Sequence, residues 1–155
     1  MAIRLDLRKL TLRADRVVVA RMVAKKSFWG SDGKRIMTSY SFKVQDDVVG
    51  HGDDMVSVLV YGGTVGRWTQ RANGYPRFSD DSPVLLFLKK KDDAAFNVVG
   101  LCQGVFDFHK DEGRVLLVQR LEGLSFHNNH GRPLILDKTQ AFEKIKAIAA
   151  QGQLP

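Results

Sequence analysis

The chain of 155 residues has a single cysteine and no long apolar run. Cys102 cannot form an internal disulfide, and no second cysteine is present to build a structural zinc site with it. The longest apolar run, residues 84–88, is far shorter than the roughly 18–20 residues that span a bilayer, which excludes a transmembrane segment. Stability is therefore expected from the packing of one domain over residues 1–155, since domains typically hold about 100–150 residues.

Acidic residues are scarce at the beginning of the chain. Ten Lys and Arg but only three Asp occur in residues 1–35, whereas both signs are equally frequent in the other 120 residues. A basic surface at one end attracts acidic partners such as nucleic acid, anionic lipid or an acidic protein face. The alternative is a solvated face that only keeps the protein soluble.

Helical stretches of the kind that connect parallel strands are missing between the predicted strands. Alternating or β-branched segments bounded by Gly and Asp predict strands, which lie at 16–29, 36–48, 55–61, 83–89, 96–100, 104–108 and 115–119. They indicate an all-β fold, an OB-like antiparallel barrel of five or more strands. An N-terminal helical segment (1–15), capped by Asp6, and a C-terminal helix (137–151), capped by Asp137, flank it.

The side-chain groups that carry catalysis or bind metals are also missing. His127 and His130 are close in sequence, but they lie in a polar turn and no third ligand accompanies them. The paired aspartates follow strand ends, which is typical of turns. The glycine-rich segment 62–66 lacks the lysine of a phosphate-binding loop. The sequence therefore predicts no enzymatic activity, no metal site and no cofactor, with Cys102 as a small core residue.

The segment 62–82 has four glycines and no sustained periodicity. Loops of this length are uncommon unless they are functional or disordered, and its aromatic residues disfavour disorder. Arginines and aromatics are mixed here, as they are around the turn of the first predicted hairpin. The predicted binding residues of the two segments are Lys25, Lys26, Trp29, Arg35, Arg67, Trp68, Arg71, Tyr75, Arg77 and Phe78.

These residues predict a non-catalytic binding or assembly module, because aromatic and arginine side chains dominate binding energy at interfaces. A protein partner or self-assembly is favoured. The alternative is single-stranded nucleic-acid binding, which uses stacking platforms beside cations. A third hypothesis is a subunit of an extracellular polymer. The opposing interpretation is that Trp29 and Trp68 cover the barrel ends as ordinary packing.

The element order resembles the oligonucleotide/oligosaccharide-binding barrel, and more narrowly the netrin-like form found in tissue inhibitors of metalloproteinases. The similar segments are 14–20 (ADRVVVA), 40–44 (YSFKV) and 84–88 (VLLFL). Those inhibitors chelate the protease zinc with an N-terminal cysteine that this chain lacks, so their activity is not implied.

Segments 62–88 and 98–106 (VVGLCQGVF) are also similar to uncharacterised bacterial exported proteins, in which a signal peptide precedes the first strand. This resemblance implies an extracellular or periplasmic location. A cytoplasmic location is expected if Met1 is the native start.

Overall fold

The structure is a computed structural model that describes residues 3–121 and 132–152. These residues form two α-helices, ten β-strands and one short 3₁₀ helix. In chain order the elements are α1 (Leu7–Arg13), β1 (Arg16–Trp29), β2 (Ile36–Val49), β3 (Met55–Tyr61), β4 (Gly63–Val65), β5 (Trp68–Gln70), β6 (Val84–Lys90), β7 (Phe96–Val98), the 3₁₀ helix (Leu101–Gly104), β8 (Val105–Asp111), β9 (Arg114–Gln119), β10 (Ile135–Asp137) and α2 (Lys138–Gly152).

Five strands close into a barrel in the order β1, β2, β3, β7, β6 and back to β1. The beginning of β1 pairs with β6 on one edge and with β2 on the other, and register shifts in the β1–β2 ladder mark irregularities of the kind that bend a strand. The predicted all-β barrel is confirmed. One detail differs: β3 and β7 pair in parallel, with Val58 opposite Phe96, whereas antiparallel pairing was predicted.

The strand β6 is apolar on both faces because each face packs in a different hydrophobic cluster. Val84, Leu86 and Leu88 point into the barrel interior. Leu85 and Phe87 belong to a second cluster that also contains side chains of α1 and α2. All five side chains are at most 2% exposed, which confirms the prediction of a strand covered on both sides.

Both α-helices begin after the predicted capping aspartates. The backbone N–H of Lys9 donates to Asp6 Oδ1 at 2.8 Å, and that of Gln140 donates to Asp137 Oδ1 at 3.1 Å. In α2, Ile145 is fully buried in the second cluster. The C-terminal helix therefore packs against the outside of the barrel.

Two short elements were not predicted. Segment 62–82 contains the hairpin β4–β5, with Thr64 opposite Thr69, and β10 adds an edge strand to β9. Each of these strands has three residues, too few for an alternating pattern to be recognised. Cys102 is 2% exposed and lies in the core, as predicted.

Candidate binding surface

The outer part of the first hairpin is not paired with β6. Within the described residues, β1 pairs with β6 only from Arg16 to Ala20, and the remainder of β1 pairs with β2 alone. At the turn, the Asp32 carboxylate accepts the backbone N–H groups of Lys34 (2.9 Å) and Arg35 (3.2 Å). Both hydrogen bonds lower the pKa of Asp32, and the one from Lys34 has the larger effect. The turn chemistry thus fixes the outer end of the hairpin (residues 25–40, called the ribbon below), whose β2 strand also pairs with β3 as far as Met37.

The strand register separates the two predicted lysines of this ribbon. Lys25 lies opposite Tyr40, and Lys26 lies opposite Ser39. Directly opposed residues share a face, and successive residues alternate between faces. Lys25 is therefore on the face of Tyr40, which packs in the barrel core, and Lys26 is on the outer face.

The hairpin β4–β5 is held against the inner face of the ribbon. Thr38 Oγ1 donates to the Gly62 carbonyl at 2.7 Å and lies 2.8 Å from Ser27 Oγ. The Gln70 amide bridges the ribbon turn, because its Oε1 accepts the Ile36 N–H at 2.6 Å and its Nε2 donates to the Lys34 carbonyl at 2.8 Å. The 62–82 segment and the ribbon thus form one surface, which we call the hairpin–loop surface (residues 25–40 and 62–82).

The far end of the loop enters the barrel through Phe78. This side chain is 4% exposed and makes edge-to-face contacts with Tyr40 (centroids 5.0 Å apart) and Phe42 (4.9 Å). The sequence predicted Phe78 as a binding residue, but the structure places it in the core. The arginine and serine on either side of Phe78 are typical of a surface segment, whereas the barrel interior supplies its apolar environment. Phe78 therefore does not belong to the exposed candidate surface.

Arg120 fixes the loop beside Phe78. Its guanidinium makes two hydrogen bonds to the Asp107 carboxylate, at 2.8 and 2.7 Å, and lies 5.1 Å from the Phe78 ring centroid. Its Nη1 also donates to the Arg77 carbonyl at 2.8 Å. Bidentate arginine–carboxylate pairs have a defined geometry, so this contact sets the position of the backbone at Arg77.

The two tryptophans are exposed. Trp68 is 58% exposed and Trp29 is 38% exposed, so neither covers a barrel end as the opposing interpretation proposed. The guanidinium of Arg67 lies 5.8 Å from the Trp68 ring centroid, which makes an exposed cation–aromatic pair at the end of the short hairpin. These are side chains of the type that anchor interfaces.

Three predicted cations line one cleft between the ribbon and the loop. The cleft has a volume of about 630 Å³, and its cations are Lys25, Arg71 and Arg77. All three residues are exposed. None of them forms an ion pair within residues 3–121 and 132–152.

A second group of side chains lies where Tyr61 of β3 meets the loop at Tyr75. Tyr61, which the sequence analysis missed, contacts Tyr75 edge to face with centroids 5.3 Å apart, and the Arg35 guanidinium lies 5.3 Å from its ring centroid. Burial is the main cause that raises the pKa of Tyr75. The sequence feature that could have indicated Tyr61 is its position at the end of the alternating strand 55–61. In the structure it lies opposite Met37.

The comparisons with known proteins give no relative. This chain matches no protein-family model, no curated protein and no solved structure. The netrin-like resemblance thus stays a prediction. Any functional conclusion has to come from the residues and contacts of this chain.

Residues 3–121 and 132–152 hold no group of three or more His, Cys, Asp or Glu side chains that could bind a metal. His127 and His130 lie outside those residues. None of the described helices has the length and apolar character needed to cross a membrane.

The aspartate pairs have different roles. Asp46 and Asp47 were predicted at a strand end but lie within β2, where Asp47 makes an ion pair of 2.9 Å with Arg16, which is 5% exposed. Asp80 and Asp92 have the predicted turn contacts. Asp80 accepts the Ser82 backbone N–H at 3.0 Å, and that hydrogen bond lowers the pKa of Asp80. Asp92 accepts the N–H groups of Ala94 and Ala95.

Proposed function

We propose that this chain is a non-catalytic binding module whose hairpin–loop surface binds an acidic partner. The observation that carries the proposal is that the long loop is held at two points along its length. Gln70 attaches it to the ribbon, and Phe78 attaches it to the barrel core. A surface that is already ordered loses less conformational entropy on binding than a flexible loop would.

The charges of the surface support an acidic partner. Lys25 and Lys26 on the ribbon, and Arg67, Arg71 and Arg77 on the loop, are exposed and form no ion pair among the described residues. A partner carboxylate or phosphate would gain charge-assisted hydrogen bonds from them without breaking an existing pair. The exposed Trp68 adds an aromatic contact beside these cations.

A second candidate function is single-stranded nucleic-acid binding. It is favoured by the Arg35, Tyr61 and Tyr75 cluster, since bases stack on aromatic rings beside cations. A pocket of about 350 Å³ next to this cluster is lined by Leu59, Tyr61, Tyr75 and Lys91 among others.

One titration tests the proposal and separates the two candidates. The native protein is titrated with poly-L-glutamate and with single-stranded oligo-dT at about 50 and 200 mM salt, while Trp29 and Trp68 fluorescence is recorded. We expect poly-L-glutamate to change the fluorescence, and we expect its affinity to fall with added salt, because exposed charges are screened. Oligo-dT binding about tenfold tighter than poly-L-glutamate would favour the nucleic-acid function instead. Absence of binding to both polymers would contradict the proposal.

A further inference from the structure

The cleft between the ribbon and the 62–82 loop combines positive charge with hydroxyl groups. Its cations are Lys25, Arg71 and Arg77, and no described acidic residue lines it. Its other polar walls are mainly hydroxyl-bearing side chains, which are Ser27, Thr38, Tyr40, Thr64, Thr69 and Ser79. Some of the hydroxyl protons are already used, because Thr38 donates to the Gly62 carbonyl and Ser27 donates to Thr38. Thr64 and Thr69 share one hydrogen bond, which leaves one of their two protons. That proton, the Tyr40 and Ser79 hydroxyls, and the guanidinium and ammonium groups can donate hydrogen bonds to an anion.

The three cations come from distant positions in the chain, and contacts of neighbouring residues place each of them. Lys25 is opposite Tyr40 in the β1–β2 ladder. Arg71 follows Gln70, whose amide makes two hydrogen bonds to the ribbon. The carbonyl of Arg77 accepts a hydrogen bond from Arg120. The backbone that carries the cations is therefore fixed before any ligand binds.

Tyr40 adds a hydroxyl at the inner wall of the cleft. Its side chain is 5% exposed, and this burial raises the pKa of Tyr40. A hydrogen bond with the Phe78 backbone and the charge of Arg77 act in the opposite direction but are smaller effects. The phenol therefore keeps its proton at neutral pH.

We propose that this cleft binds a tetrahedral oxyanion, the phosphate or sulfate group of an acidic ligand. Several cations and hydroxyls around one space suit an anion that accepts hydrogen bonds in several directions. A carboxylate has only two oxygens in one plane and uses fewer of these donors. The inference rests on the proposed function, because it assigns a chemical group to the same surface.

The test uses inorganic phosphate and inorganic sulfate as probes, with acetate as the carboxylate control, in calorimetric titrations at constant ionic strength. We expect phosphate or sulfate to bind the native protein in about the millimolar range, and acetate to bind at least about tenfold more weakly. The ratio of the phosphate and sulfate affinities measures which of the two groups the cleft prefers. Equal binding of acetate would show that the cleft recognises charge alone and would overturn the inference.

Two lysines supply a matched pair of variants. Lys25→Gln removes a cation of the cleft, whereas Lys43→Gln removes the same charge from an exposed position of β2 outside the hairpin–loop surface and outside the cleft. We expect Lys25→Gln to weaken phosphate or sulfate binding by roughly tenfold, since a hydrogen bond to a charged group contributes about 1.5–3 kcal/mol. We expect Lys43→Gln to change it by less than about twofold. Equal effects of the two variants would overturn the assignment to the cleft.

The poly-L-glutamate titration of the native protein distinguishes failure of this inference from failure of the proposed function. If poly-L-glutamate binds but neither inorganic anion does, the cleft inference is wrong and the binding function stands. If none of the probes binds, both are wrong.

Discussion

Phe78→Ala is expected to lower the free energy of unfolding by about 3–5 kcal/mol, the range found when a buried phenylalanine is truncated. Phe78 is 4% exposed and contacts Tyr40 and Phe42 edge to face. Truncation removes these contacts and leaves a cavity that the surrounding strands cannot fill completely. Denaturant unfolding monitored by circular dichroism measures the change.

Trp68→Ala is the matched control for this variant. It truncates another aromatic of the same loop, but Trp68 is 58% exposed, so the free energy of unfolding should change by less than about 0.5 kcal/mol. Similar losses for the two variants would contradict the placement of Phe78 in the core.

Gly63→Ala is expected to lower the free energy of unfolding by about 2–4 kcal/mol, because it combines backbone strain with overpacking. The backbone φ of Gly63 is +135°, and a Cβ atom there would lie 2.3 Å from Thr38 Oγ1 and 2.6 Å from Ser27 Oγ. The short hairpin β4–β5 would have to move away from the ribbon. The measurement is again denaturant unfolding.

Gly66→Ala separates the two causes. Gly66 also has a positive φ, +59°, but a Cβ atom there would have no neighbour within 4 Å. Only the backbone cost of about 1 kcal/mol is therefore expected for this variant. Equal destabilisation by Gly63→Ala and Gly66→Ala would show that the close packing of Gly63 against the ribbon is not important for stability.

The strands of the barrel could be predicted from the sequence because local patterns determine them. The first and third strands have the predicted bounds, 16–29 and 55–61. Alternating apolar residues and clusters of glycine and aspartate mark where these strands begin and end. The helix caps were predictable for the same reason, since Asp6 and Asp137 bind backbone groups only three residues away.

The candidate surface could be predicted only in part because it depends on contacts between distant residues. The strands β4 and β5 are held by Gln70 and Thr38, whose partners lie 34 and 24 residues away in the chain. The burial of Phe78 depends on the barrel strands that surround it. The assignment of Lys25 and Lys26 to opposite faces requires the register of β1 and β2. None of these contacts is encoded in a local pattern.

The most direct test of the binding function compares two triple variants in the poly-L-glutamate titration. One variant replaces Arg67, Arg71 and Arg77 of the loop with glutamine, and the control replaces Lys110, Lys144 and Lys146, which are exposed on β8 and α2. Both variants remove the same total charge. We expect the loop variant to weaken binding by about tenfold or more and the control to change it by less than about threefold, because long-range attraction is screened while direct contacts are not. Equal weakening by the two variants would show that net charge alone drives binding, and would contradict a specific hairpin–loop surface.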